Sequence, residues 1–182
     1  MKKAIKIILL LALAVGWMFC IYKLSGMNSS KSNGKSADIL SIIIADALDV
    51  TNDYGITNLH PDDAKIERAS TLMNTPMRKV MHASVYLVLA FFLMILLNII
   101  SNHKYYWLTL LIALVLSVFF ALTDEYHQTF VTGRTGQIMD VVIDSMGAVV
   151  GLVFYTTYHF VYKIGYRNAL KEIEEESENE EE

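Results

Sequence analysis

Cysteine is nearly absent: Cys20 is the single one in 182 residues, and it lies inside an apolar block. That excludes an intramolecular disulfide and a cysteine-rich metal site. Bulky Trp17, Met18 and Phe19 precede it, where a lipoprotein signal needs small residues, so Cys20 reads as apolar filler. No basic stripe with interleaved aromatics runs through the chain, which argues against a nucleic-acid partner. A glycine-rich phosphate loop is missing too, since Gly133 and Gly136 stand too close together to form one; no nucleotide or electron-transfer cofactor is implied. The formal charge of -4 is local. Lys171 to Glu182 hold one Lys and eight Glu, so the remainder of the chain is net basic.

What is present is apolar. Hydrophobic residues make up 54% of the chain and the mean hydropathy is +0.38, concentrated in blocks of membrane-spanning length. A soluble fold of sheet and helix layers is therefore nearly excluded. The blocks cover about 5–23, 80–100, 105–123 and 138–163, each roughly the 20 residues that cross a hydrocarbon core. The first follows Lys2, Lys3 and Lys6 and ends in large side chains with no Ala-x-Ala-like site, so it reads as an uncleaved anchor. The expected fold is an all-α integral membrane protein: four transmembrane helices over 1–165, then an acidic, disordered tail over 171–182. Four spans put both termini on one side. The early lysines, and Lys104 in a short turn, place that side in the cytoplasm.

The first long loop carries an amphipathic segment. Ser25 to Lys35 has a loop composition, and Ser36 can cap a helix from Ala37 to Val50. Ile39, Ile42, Ile43, Asp46 and Val50 recur at three to four residues, which fits an interfacial helix or one packed on the outer end of the bundle. Asn52 to Pro61 reads as turn and Asp62 to Met73 as a second short helix. Pro76 then suits the first turn of the next span.

Charges and histidines within spans are costly and default to functional candidates. Lys79, His82 and Tyr86 share one face at the start of the second span. Asp124, Glu125 and Gln128 close the third, and Arg134 follows in a loop flanked by Gly133 and Gly136. Asp140, Asp144, Gly147 and Gly151 step by four, three and four along the fourth, where the glycines suit close helix packing. Asp144 lies roughly 9–10 Å into that helix, so it must be protonated or paired, with Arg134 or Lys79 as the compensating cation. Four-span topology puts all these groups at one membrane edge. Each also has a plainer reading: Lys79 as a snorkelling anchor, Arg134 as a surface charge, Asp124 and Glu125 as headgroup-level carboxylates. His127 has no clear partner, and His159 sits at the inner end.

The run Ala121-Leu122-Thr123-Asp124-Glu125-Tyr126-His127-Gln128-Thr129-Phe130, then Arg134, then Asp140-x-x-x-Asp144-x-x-Gly147-x-x-x-Gly151, resembles the VanZ-like family of bacterial membrane proteins. Lys79, His82 and Tyr86 match that family's upstream element, and Ser25 resembles a serine that follows its first span. Two positions depart: Val85 stands where many relatives carry Glu, and Asp144 where many carry Asn. The resemblance covers about residues 18 to 160. It implies a cell-envelope role, and a link to glycopeptide (teicoplanin) resistance through the member that names the family.

Two functions follow as expectations. In the first, an outward-facing polar pocket binds a polar or anionic headgroup of a membrane lipid or lipid-linked envelope precursor, with Arg134 and Lys79 holding the anion. In the second, the protein is an intramembrane enzyme acting on a lipid or cell-wall precursor, with His82 as general base. His with several carboxylates is a plausible metal donor set, but no recognised metal spacing occurs, so no metal is assigned. No Ser or Cys stands in a nucleophile context. A homo-oligomer is left open.

Overall fold

Each apolar block forms a helix longer than the block itself. In lipid, a helix satisfies its own backbone hydrogen bonds, so nothing favours an early stop. The computed structural model describes residues 2–26, 29–55 and 63–181, and these are built from helices and short connections. The helices are α1 (Lys2–Ser25), α2 (Ser29–Asp53), α3 (Asp63–Ile100), α4 (Tyr106–Gln128) and α5 (Ile138–Glu181). Four contain stretches long and apolar enough to cross a membrane: Lys2–Ser25, Arg68–Ile100, Tyr106–Gln128 and Ile138–Lys171. The chain is an all-α, multi-pass membrane protein.

Helix α3 is the hub, packing against α1, α2, α4 and α5. Small residues set how closely the helices meet. On α4, Thr109, Ala113, Ser117 and Ala121 are buried every four residues, while Leu111, Val115, Phe119 and Leu122 stay exposed, as lipid-facing residues should. On α5, Val141, Asp144, Ala148, Leu152 and Tyr155 form the buried face. Gly147 and Gly151 lie against α3 so closely that an added Cβ would sit 2.0 Å from the Ala83 carbonyl oxygen and 2.2 Å from that of Leu87. Both pairs are four residues apart, so one turn of α5 follows one turn of α3.

Helix α1 is fixed along its length. Lys3 Nζ donates to Asn102 Oδ1 beyond the end of α3, and Trp17 Nε1 donates to the Val85 carbonyl at 2.9 Å. Tyr22 stacks on His127 with ring centroids 4.0 Å apart. The far end of the bundle holds its own polar knot. Asn98 is fully buried, accepts from Thr109 Oγ1 at 3.3 Å and donates to Tyr155 Oη at 3.4 Å. His159 stacks there on Tyr106 at 4.8 Å.

Three local expectations differ from the structure. Ser29 to Lys35, with a loop composition, is the opening of α2; summed Ser, Asn and Gly propensity costs are small against a helix already running through Ala37–Val50. The short helix expected over Asp62–Met73 is joined to the second span as α3, with Pro76 inside the helix and not in its first turn. Proline lacks one N–H and crowds one carbonyl, which a long helix packed along its length can absorb. The acidic tail, expected to be disordered from Lys171, continues α5 as helix to Glu181; glutamate is a good helix former. Most of the expected Asn52–Pro61 turn lies outside the described residues, although Gly55 adopts a φ of +66° just after α2. Of the expected stripe on α2, Ile39, Ile42, Ile43 and Val50 are exposed, and Leu40 is the residue buried by α3.

Candidate functional site

Antiparallel packing brings the end of α1, the middle of α3, the end of α4 and the start of α5 to one end of the bundle. The connection from α4 to α5 shapes this end. Gly133 takes a φ of +78°, open to glycine at little cost. A Cβ on Gly136 would lie 2.7 Å from Thr129 Cγ2 and 3.0 Å from the Glu125 carbonyl oxygen. The two glycines therefore fold the loop back onto α4. Glu125 secures it: Oε2 accepts from the Gln137 backbone N–H at 2.9 Å, just ahead of α5. A carboxylate there also meets the positive end of the helix dipole.

This folding carries Arg134 to the mouth of a small notch lined by Arg78, Lys79, His82, Gln128, Arg134, Asp140, Ile143 and Asp144. Arg134 Nη1 donates to Gln128 Oε1 at 3.1 Å, and Gln128 Nε2 donates to Asp124 Oδ2 at 3.3 Å. Lys79 Nζ lies 3.0 Å from Asp140 Oδ1. Burial first, and neighbouring Arg78 second, pull the Arg134 guanidinium below its ordinary range. Two cations held together in this way favour an anion between them.

Below the rim the groups are dry. Asp124, Glu125, Gln128 and Asp144 are buried, and Tyr86 is wholly so. His82 is half-buried and lines the notch. His82, Asp124 and Asp144 each offer a donor atom within 4.8 Å of the others, a grouping that could hold a metal ion. Ser25, at the end of α1, is fully buried with its hydroxyl directed at Asp124.

Lys79, His82, Gln128, Arg134, Asp140 and Asp144 thus share one notch, with Asp124 and Tyr86 behind it. Glu125 faces the loop. Arg78 is the member that sequence reasoning missed; its four-residue spacing to His82 puts it on the same face and was available as a signal. His127 has a partner after all, the ring of Tyr22.

A model of the VanZ/LLP1 family matches residues 7–161, which reaches into all four spans and takes in every notch residue. The chain belongs to the VanZ/LLP1 family. Neither the curated proteins nor the solved structures contain a match to it. Membership makes this a membrane protein of a family linked to cell-envelope and antibiotic-resistance biology, and points to a lipid or cell-envelope partner. The VanZ/LLP1 match begins inside α1, so Ser25 and the Trp17 contact to Val85 belong to the family region as well.

Proposed function

We propose that this VanZ/LLP1 protein uses the notch to bind the anionic headgroup of a membrane lipid or a lipid-linked envelope precursor. One observation carries the reading: Arg78 and Lys79 from α3 and Arg134 from the α4–α5 loop line one notch at one end of the bundle. Guanidinium and ammonium groups there donate charge-assisted hydrogen bonds to phosphate oxygens. Buried Gln128 presents Arg134, and Asp140 holds Lys79, so both cations are pre-positioned. With the termini cytoplasmic, as the early lysines favour, the notch opens to the outside.

The test uses detergent-solubilised protein and two probes, phosphatidylglycerol and phosphatidylcholine. Phosphatidylglycerol should raise the unfolding temperature more than phosphatidylcholine, and Arg134→Gln should abolish the difference while the protein remains monodisperse. Equal stabilisation of the wild type by both lipids would refute the reading. A second reading, an intramembrane enzyme acting on a lipid or cell-wall precursor, draws on the convergence of His82 with Asp124 and Asp144. It requires turnover of headgroup-labelled lipid that His82→Ala removes.

A further inference from the structure

We infer that His82, Asp124 and Asp144 bind one divalent transition-metal ion in the floor of the notch. The three residues come from α3, α4 and α5, and their donor atoms lie within 4.8 Å of one another. Asp124 and Asp144 are 2% and 1% exposed, and an Oδ1 of each is buried with no hydrogen-bond partner. Tyr86, one turn along α3 from His82, adds a buried hydroxyl with no partner, placed where the charges of Asp124 and Asp144 act on it. Buried polar groups are nearly always satisfied, and two buried carboxylates repel unless positive charge stands between them. Lys79 is turned to Asp140, and Arg134 reaches Gln128 while its charge also acts on Asp124. A cation held between His82, Asp124 and Asp144 gives the two carboxylates a common partner.

The donor chemistry narrows the ion. One imidazole nitrogen with two carboxylate oxygens suits Mn²⁺, Fe²⁺ or Zn²⁺ better than Mg²⁺ or Ca²⁺, which prefer oxygen alone. Ligand atoms about 2.1 Å from a shared ion stand roughly 3.4 Å apart, so the side chains close by about an ångström when it enters. The Gln128 amide, donating to Asp124 Oδ2 at 3.3 Å, orients that carboxylate from outside. Sequence spacing hides the set because each ligand lies on a different helix. Three protein ligands leave coordination positions open, and an anionic oxygen entering the notch would complete them; that last step rests on the headgroup reading, whereas the ion does not.

The experiment measures metal per chain in full-length protein, purified in detergent, stripped with chelator and re-equilibrated with Mn²⁺ or Zn²⁺. About one ion per chain should remain with the wild type. His82→Ala and Asp144→Asn should each weaken binding by at least about tenfold. His159→Ala, at the far end of the bundle, should bind as the wild type does. Should Asp144→Asn fail to fold, the spin-echo spectrum of the Mn²⁺-loaded wild type decides: nitrogen coupling from a bound imidazole supports the site, and its absence overturns it. A folded wild type retaining no ion above buffer, or His82→Ala binding undiminished, also overturns it. Arg134→Gln separates the two proposals, because it removes the proposed headgroup contact and should keep the ion. Lipid selectivity without the ion leaves the headgroup reading standing and ends this one; the ion without lipid selectivity does the reverse.

Discussion

Replacing Gly147 with alanine perturbs the α3–α5 seam by one methyl group. The new Cβ would stand 2.0 Å from the Ala83 carbonyl oxygen, 2.7 Å from its carbon and 2.8 Å from its Cα. An ordinary contact is about 3.5 Å, so the helices must part by roughly an ångström or more, and the obstructing atoms are backbone that no rotamer change can move aside. Separation propagates to Gly151, whose added Cβ would meet the Leu87 carbonyl oxygen at 2.2 Å. Overpacking of this kind costs about 1–3 kcal/mol or more, and for a chain of this size each kcal/mol moves the melting temperature by about 2–4 °C. Gly147→Ala and Gly151→Ala should each therefore lower it by roughly 2–12 °C. Gly165, on the same helix, supplies the contrast: nothing lies within 4 Å of its added Cβ. There alanine should gain up to about 0.8–1.0 kcal/mol of helix propensity. The assay is thermal unfolding in one detergent, beside extracted yield and chromatographic homogeneity. A Gly147→Ala protein as stable as Gly165→Ala would refute the close seam.

Other outcomes follow from single contacts. Glu125→Ala leaves the Gln137 N–H without its carboxylate, at about 1–3 kcal/mol; amide exchange around Gln137 should accelerate, and Glu125→Gln, which keeps an acceptor oxygen, should largely restore protection. Lys79 and Asp140, 3.0 Å apart and partly exposed, should show a coupling of about 0.2–1 kcal/mol in a double-mutant cycle of Lys79→Gln and Asp140→Asn, with both proteins extracted in normal yield. Trp17→Phe removes the hydrogen bond to the Val85 carbonyl and should cost about 0.5–1.5 kcal/mol in thermal unfolding. For orientation, cysteines at exposed Thr135 and at Ser177, in a Cys20→Ser background, should label from outside and only after permeabilisation, respectively; the opposite pattern inverts the topology.

The four spans were legible in the sequence because lipid imposes one rule on all of them, about 20 apolar residues in a row. Their true ends were not, since helices continue wherever packing or propensity allows, as α3 does through Pro76 and α5 through its glutamates. Candidate site residues were legible as costly polar groups on apolar helices, and the step of four, three and four from Asp140 to Gly151 held them to one face. What each touches was not legible. Compensation of Asp140 by Lys79, the turn of Glu125 toward Gln137 and the stacking of His127 on Tyr22 all depend on how far one helix slides along another. Spacing within a single helix carries no record of that slide. The same limit left open which of the groups expected at one membrane edge would meet, as His82 does with Asp124 and Asp144.

The headgroup reading is tested most directly by native mass spectrometry of the purified protein offered an equimolar mixture of phosphatidylglycerol and phosphatidylcholine. The account predicts that lipid-bound wild-type protein carries mainly phosphatidylglycerol, that added phosphate competes for it, and that Arg134→Gln binds both lipids alike while keeping its fold. Wild-type protein carrying the two lipids in equal proportion, or Arg134→Gln retaining the preference, would contradict it.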